Sequence, residues 1–337
     1  MTPAPRLSWS PNGLTNTIEH MASALRKLAH VLVAAHVRPD GDAIGSTLAA
    51  AHALRMVGVR ATAYNRDGVP PNLRFLPGAE QLTTHVPEDV DCILALDCAV
   101  AHRLGEPVAE LCRTMPVYCL DHHATVDEAF ADILALDPSA PACAELVYRL
   151  AVSLGAPLDK SLAIPLFAAL HTDTGSFRYS STRAETLEFG RILLTTGFDV
   201  WEVCSELYES HPVERLRILP RVLDTLQLST CGRFASLLVS SEVQKLAAGD
   251  ESILQGVINF ARGVRGVEVA TLLTEVNRGE YRVSFRSRGR VDVSLIAAAH
   301  GGGGHRNAAA CVVKGELDLV LEQLQSALAR ADAPGSP

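Results

Sequence analysis

Along the first half of the chain, short apolar runs alternate with longer segments whose apolar residues recur at helical spacing. Residues 31–35 are wholly apolar and read as a buried strand; residues 42–56 follow as a helix, with Asp42 placed to cap it. Strand-like runs recur at 59–64, 92–96 and 117–120, and helical patterns at 142–154, 160–170 and 183–195. Strand followed by helix, repeated, predicts βα units on a mostly parallel sheet flanked by helices.

The pattern changes after about residue 210. Residues 211–228 read as a connecting helix with Pro212 in its first turn and Pro220 interrupting or kinking it. Beyond it, Ser229-Thr230-Cys231-Gly232 reads as a turn before a strand at 234–239. Further strand-like stretches lie at 267–276 and 281–286, with a helix at 293–299. The expected fold class is α/β: an N-terminal, mostly parallel sheet flanked by helices, followed by a smaller α+β domain with a mixed sheet. The expected domains are residues 17–195 and 229–330, joined by a helical linker at 196–228, with residues 1–16 as a tail.

Composition narrows the class. In 337 residues, 48% are hydrophobic and 20% charged, enough apolar material for a proper core. The net charge of −8 weighs against a protein that grips long nucleic acid by neutralising phosphates, but leaves small phosphorylated substrates open. No apolar run approaches the ~20 residues of a membrane span, and the N-terminus lacks a leader-like apolar stretch. The eight cysteines contain no C-x-x-C pair and read as reduced core residues. A cytoplasmic enzyme without membrane contact is expected.

The chemistry lies where the strands end. Residues 31–35 run into His36 and then Arg38-Pro39-Asp40-Gly41-Asp42; 92–96 run into Asp97; 117–120 run into Asp121-His122-His123; the helix from 160 runs into His171-Thr172-Asp173-Thr174-Gly175. In open α/β sheets ligands bind beyond the carboxyl ends of the strands. Taken singly, Asp40 and Asp42 could cap a helix, Asp97 could open a turn and one histidine could be a satisfied edge residue. Delivered together to one edge, they read as a metal site. Imidazoles mixed with carboxylates and without thiolates argue against structural zinc and for a catalytic site holding Mn²⁺ or a similar ion. So many ligands suit two cations sharing a bridging carboxylate.

These segments resemble the four motifs of the DHH phosphoesterases, and Gly301-Gly302-Gly303-Gly304-His305-Arg306-Asn307-Ala308-Ala309 resembles the GGGH motif of the DHHA1 domain. Together they resemble short DHH–DHHA1 enzymes of the nanoRNase type, over residues 17–330 or so. The resemblance implies one metal ion on His36, Asp40 and Asp97, and a second on Asp42, Asp97, His122 and Asp173, with Asp97 bridging. It also implies that His123 faces the scissile phosphate, so that His123, Asp42 and Asp97 form the catalytic set, while Asp121 anchors rather than ligates. Ala310 departs from the glycine common at that position.

In the second half, seven arginines (262, 265, 278, 282, 286, 288 and 290) face three acids between residues 262 and 290. A general preference for arginine, with lysine only at 27, 160, 245 and 314, dilutes that signal. Arg286 stands apart because it matches the family's Ser-Phe-Arg-Ser segment, and a guanidinium offers a bidentate fork to phosphate. Gly302, Gly303, Gly304 and His305 join it as expected substrate-binding residues, since glycine amides can approach an anion closely.

The implied function is two-metal hydrolysis of short 5′-phosphorylated oligoribonucleotides to mononucleotides and of pAp to AMP, with Mn²⁺ as the expected ion. A homodimer is expected by resemblance alone. Alternatives are a phosphodiesterase for cyclic di-AMP or linear pApA, a manganese inorganic pyrophosphatase, and a non-catalytic RNA-binding module.

Overall fold

The computed structural model describes residues 12–98, 100–123, 130–247, 251–254 and 256–332. The chain divides into two compact units, Met1–Ser210 and His211–Pro337.

The first unit contains α1 (Asn12–Leu25), β1 (His30–Ala35), α2 (Gly41–Met56), β2 (Arg60–Tyr64), β3 (Cys92–Leu96), α3 (Val108–Leu111), β4 (Val117–Asp121), β5 (Ile133–Leu136), α4 (Cys143–Leu154), α5 (Lys160–Asp173), α6 (Ala184–Leu194) and α7 (Val200–Tyr208). Its five strands pair in parallel in the order β2-β1-β3-β4-β5. Val31, Val33, Leu94, Leu96 and Leu120 enter one core with side chains of α1, α2, α4 and α5; Leu32, Ala34, Ile93, Ala95 and Cys119 enter a second with Leu104 and Val108. Burial on both faces is why these strands read as continuous apolar runs rather than alternating ones.

The order reverses between β1 and β3, which makes the gap beyond their carboxyl ends the natural crevice of the sheet. Register aligns that edge. Ala35 pairs with Leu96 and Leu96 with Leu120, so the next residues, His36, Asp97 and Asp121, leave the sheet in one row.

Three local details differ from the sequence reading. Asp40, not Asp42, caps α2: its Oδ1 accepts from the Asp42 and Ala43 amides, both at 3.1 Å, which leaves Asp42 inside the first turn. Helix α5 continues through His171 to Asp173, so the fourth motif sits on a helical end rather than a loop. Helix α1 begins at Asn12, within the stretch read as a tail, of which residues 1–11 lie outside the described residues.

Helices α2 and α5 pack unusually closely. A Cβ on Gly45 would lie 2.3 Å from the Pro165 carbonyl oxygen, and one on Gly41 2.3 Å from Thr172 Oγ1. Glycine at both positions lets the two backbones approach and brings the start of α2 beside the end of α5.

The second unit contains α8 (Val213–Leu223), β6 (Gln227–Leu228), β7 (Phe234–Val239), α9 (Ser241–Leu246), α10 (Ile258–Gly263), β8 (Val269–Asn277), β9 (Glu280–Ser287), α11 (Val293–Ala299), β10 (Gly303–His305), β11 (Ala308–Lys314) and α12 (Leu317–Ala331). Helix α8 continues through Pro220 to Leu223. The sheet order is β10-β11-β9-β8-β7-β6, with β7 and β8 parallel and the other pairs antiparallel. One face packs Val269, Val283, Phe285 and Cys311 against Val293 of α11 and Val320, Leu324 and Leu328 of α12. On the other, Ala235, Leu237, Ala270 and Leu272 lie under Ile218, Val222, Val243 and Ile258. Among the described residues no helix is long and apolar enough to cross a membrane, and all eight cysteines carry free thiols.

Candidate metal centre

The edge beyond β1, β3 and β4 collects the histidines and aspartates singled out in the sequence. His36 Nε2 lies 3.4 Å from Asp97 Oδ2 and 3.9 Å from Asp40 Oδ1. His122 Nε2 lies 3.3 Å from Asp97 Oδ1, 3.6 Å from Asp173 Oδ2 and 3.7 Å from Asp42 Oδ2. Ligand atoms of His36, Asp40 and Asp97 fall within 4.8 Å of one another, as do those of Asp42, His122 and Asp173, and those of Asp97, His122 and His123. Helix α5 supplies Asp173 from its last residue, and the close α2–α5 packing carries it to Asp42.

Backbone groups orient both imidazoles. His36 Nδ1–H donates to the Val37 carbonyl at 2.9 Å, and His122 Nδ1–H to the Ala140 carbonyl at 3.2 Å. With Nδ1 bonded in this way, Nε2 is the atom turned toward the carboxylates, the arrangement usual for metal-ligating histidines. His123 differs: its Nδ1–H donates to Asp121 Oδ1 at 2.6 Å. The same oxygen accepts the backbone amides of His122 and His123, so Asp121 organises the turn from behind.

Asp42 is buried and held from three sides. Ser46 Oγ–H donates to its Oδ1 at 2.8 Å and Ala144 N–H at 3.1 Å, while Cys143 N–H donates to Oδ2 at 2.6 Å. Neither the amides of α4 nor the carbonyls of Val37 and Ala140 could be found from sequence, because a backbone group leaves no signature there.

Electrostatics fit a cation site. Asp97 is 3% exposed, and its Oδ1 accepts no hydrogen bond from any described residue. Burial would push its carboxyl up, but His122 and His36 outweigh that and hold it well below the usual range. Burial pushes His36 down, yet Asp97 and Asp40 overcome it and raise the imidazole to about 9. His122 is raised well above its ordinary value by Asp97, Asp173 and Asp42, despite its burial. Burial, reinforced by Asp97, pushes Asp42 up to about 7. Protons thus do the neutralising that divalent cations would do on four clustered carboxylates. An orphaned buried oxygen facing inward-turned imidazole nitrogens is a donor set that suits such ions.

Backbone strain concentrates here. Among the described residues, the non-glycine residues with positive φ are Arg38, Asp97, Ser176 and Phe177, at 54° to 60°. Arg38 lies between two of the clustered residues, Asp97 is one, and the last two follow Asp173. Conformations of this kind persist where surrounding contacts enforce them, often at functional sites. Arg38 is pinned by its amide, which donates to Asp67 Oδ2 at 2.6 Å.

In the second unit, Arg286 lies half-buried on β9 opposite Ala308, with its Nη1–H donating to the Phe285 carbonyl at 2.9 Å. The glycine motif forms edge strand β10 as well as a loop, pairing Gly303 with Ala310 and Gly304 with Ala309. A Cβ on Gly302 would lie 2.1 Å from the Ala310 carbonyl oxygen, and one on Gly304 2.4 Å from that of Ala308. Their close approach to β11 is therefore a packing requirement, independent of any anion. The side chain of His305 lies outside the described residues.

A doubly wound sheet with His/Asp clusters gathered at the carboxyl ends of its strands is an architecture suited to holding divalent cations. The model of the DHH family, N-terminal domain, matches residues 30–170, and that of the DHHA1 domain matches residues 240–333. The chain is 35% identical over 310 residues to the bifunctional oligoribonuclease and PAP phosphatase NrnA of Thermus thermophilus, covering 89% of this chain and 91% of that protein. It is 25% identical over 307 residues to the NrnA of Bacillus subtilis, covering 88% and 94%. Among solved structures, an exopolyphosphatase-related protein from Bacteroides fragilis superposes with a TM-score of 0.85 at 25% identity, covering 94% of this chain and 96% of that one. The chain belongs to the DHH phosphoesterase family and carries a C-terminal DHHA1 domain.

Proposed function

We propose that this protein hydrolyses short 5′-phosphorylated oligoribonucleotides to mononucleotides and pAp to AMP, as a phosphoesterase dependent on two divalent ions, with Mn²⁺ the working species. The observation that carries the reading is the set of three His/Asp clusters linked through Asp97 and His122, in a chain 35% identical to an oligoribonuclease and PAP phosphatase. His36, Asp40 and Asp97 would hold one ion, and Asp42, Asp97, His122 and Asp173 the other. Bound there, such ions acidify a water and stabilise charge on phosphoryl oxygens.

The protein's own groups do the rest. Asp121 accepts from the Nδ1–H of His123 and fixes the ring, which would place that imidazole to assist the leaving oxygen. Ser46 and the first amides of α4 keep Asp42 from rotating, so it need not reorganise during turnover. Neither a serine nor a cysteine nucleophile is required. In the second unit, Arg286 and the 302–305 segment would take the part of the substrate remote from the reacting phosphate. A cytoplasmic homodimer, with pApA as a further substrate, completes the reading.

The test is a Mn²⁺ assay, run beside an EDTA control, on pAp, pApA, 5′-phosphorylated RNA 2- to 5-mers, a 24-mer and pyrophosphate. Turnover of pAp and the short RNAs, abolished by EDTA, is expected. Dominant turnover of pyrophosphate, or none of any phosphoester, would overturn the proposal.

A further inference from the structure

Helix α5 ends in a turn that residues with a Cβ rarely adopt. Gly175, Ser176 and Phe177 are three consecutive left-handed residues, with φ of 57°, 60° and 60°, a run that is costly for residues other than glycine. The chain enters it one residue after Asp173, the last residue of α5. Backbone groups close the turn: Ser176 N–H donates to the His171 carbonyl at 2.7 Å, and the amides of Arg178 and Tyr179 both donate to the Thr174 carbonyl at 3.0 Å. Phe177 N–H donates to Thr174 Oγ1 at 3.1 Å.

Helix α7 braces this turn from outside. Cys204 and Tyr208 stand four residues apart on α7 and so share one of its faces. Tyr208 Oη lies 3.0 Å from His171 Nδ1, and Cys204 Sγ lies 3.8 Å from His171 Nε2. One face of α7 therefore meets both ring nitrogens of His171. The Tyr208 hydroxyl also hydrogen-bonds the Ser176 side chain, inside the left-handed run. Three aromatic rings pack on the imidazole, those of Phe167, Phe177 and Tyr208, with centroids 5.3, 5.3 and 5.4 Å from its own.

His171 thus takes no place in the His/Asp clusters found among the described residues. At about 100° per residue, Asp173 leaves α5 on the side opposite His171, where its Oδ2 lies 3.6 Å from His122 Nε2. A single hydroxyl, on Tyr208, touches both the last helical turn before Asp173 and the strained turn after it.

We propose that Tyr208 is a positioning residue for Asp173, acting through His171 and Ser176 to hold the end of α5 where that carboxylate can ligate an ion. This rests on the reading of Asp173 as a ligand given above and adds to it the group that keeps the ligand in place. Neither Tyr208 nor His171 touches the ion or the substrate.

The experiment uses the full chain, stripped of metal and titrated with Mn²⁺ by calorimetry, beside thermal melts and assays on pAp. Tyr208→Phe keeps the ring and removes the hydroxyl. It weakens the binding of one ion about tenfold with little change in the metal-free melting temperature. The KM for pAp at saturating Mn²⁺ stays unchanged, and the lost rate returns as Mn²⁺ is raised. Val203→Ala, a cavity variant on the buried face of the same helix, lowers the melting temperature further and leaves ion affinity unchanged. Asp173→Asn removes the binding of one ion, and in that background Tyr208→Phe has no further effect on the ion that remains.

Wild-type ion affinity in Tyr208→Phe, an equal loss of affinity in Val203→Ala, or a Tyr208→Phe effect that persists in the Asp173→Asn background overturns the inference. If Asp173→Asn still binds two ions as the wild type does, the reading of Asp173 as a ligand fails and the inference falls with it. If Asp173→Asn loses one ion while Tyr208→Phe binds both normally, the inference alone fails.

Discussion

Asp42 closes the N-terminus of α4 and also faces the clustered candidate ligands His122 and Asp173. Helix α4 has Ala142 at its N-cap position and no side-chain cap of its own; its first amides, from Cys143 and Ala144, donate to Asp42 instead. An asparagine there would set an NH₂ group against one of those donors. Asp42→Asn is therefore expected to lose activity by about 100- to 1000-fold and stability by about 1–2 kcal/mol, read by Mn²⁺ turnover and by chemical denaturation. Asp173 ends α5 rather than closing a helix N-terminus, so Asp173→Asn should show the activity loss with a smaller loss of stability. Equal stability losses would refute the double role. The ligand candidates were legible because histidine and aspartate at the end of an apolar run are conspicuous. That Asp40 rather than Asp42 caps α2 was not legible, since a one-residue difference in where the helix starts reverses their roles.

Helix α2 positions two of the clustered aspartates, and what places α2 is its seam with α5. Alanine at Gly45 gains about 1 kcal/mol in helix propensity, but its Cβ would meet the Pro165 carbonyl and, at 2.9 Å, the Ala169 side chain. Backbone cannot yield as a flexible side chain can, so the helices must separate. Gly45→Ala is expected to lower stability by about 1–3 kcal/mol and to weaken divalent-ion affinity about 10- to 100-fold, as measured by thermal melts and titration calorimetry. A variant with normal ion affinity would show that the seam does not position the site. Apolar runs and helical periods revealed β1, β3, β4, β7 and α11 closely. Strand β5 leaves a weak signal because it is short and only partly buried, whereas α12 carries Val320, Leu324 and Leu328 at helical spacing.

At the scale of the whole molecule, the clustered charges couple stability to pH and to metal. His36 is raised from 6.5 to about 9 and Asp42 from 3.8 to about 7, so the metal-free fold holds more protons than the unfolded chain between those values. Stability supplied by those protons is complete below each unfolded value and is lost as pH rises through the folded one. Buried Glu145, pushed up to about 7 chiefly by its burial, acts in the same sense. In EDTA the melting temperature should fall from about pH 5 to pH 9. With Mn²⁺ the ion replaces those protons, so the stabilisation it confers should grow over the same range. A metal-free melting temperature that rises with pH would refute this account.

The net charge of −8 weighs against a protein that grips long nucleic acid, yet the clustered aspartates belong to the centre that would hold two cations, and the local basic excess of residues 262–290 belongs to the second unit. By itself the sequence determined the main buried strands, the parallel character of the first sheet and the identities of the chemically active side chains, because burial on two faces and residue type at a strand end are local properties. The tertiary structure decided which of those side chains meet. The shared register of Ala35, Leu96 and Leu120, the seam at Gly41 and Gly45, and the α4 amides on Asp42 all join segments distant in sequence, and only packing brings such segments together.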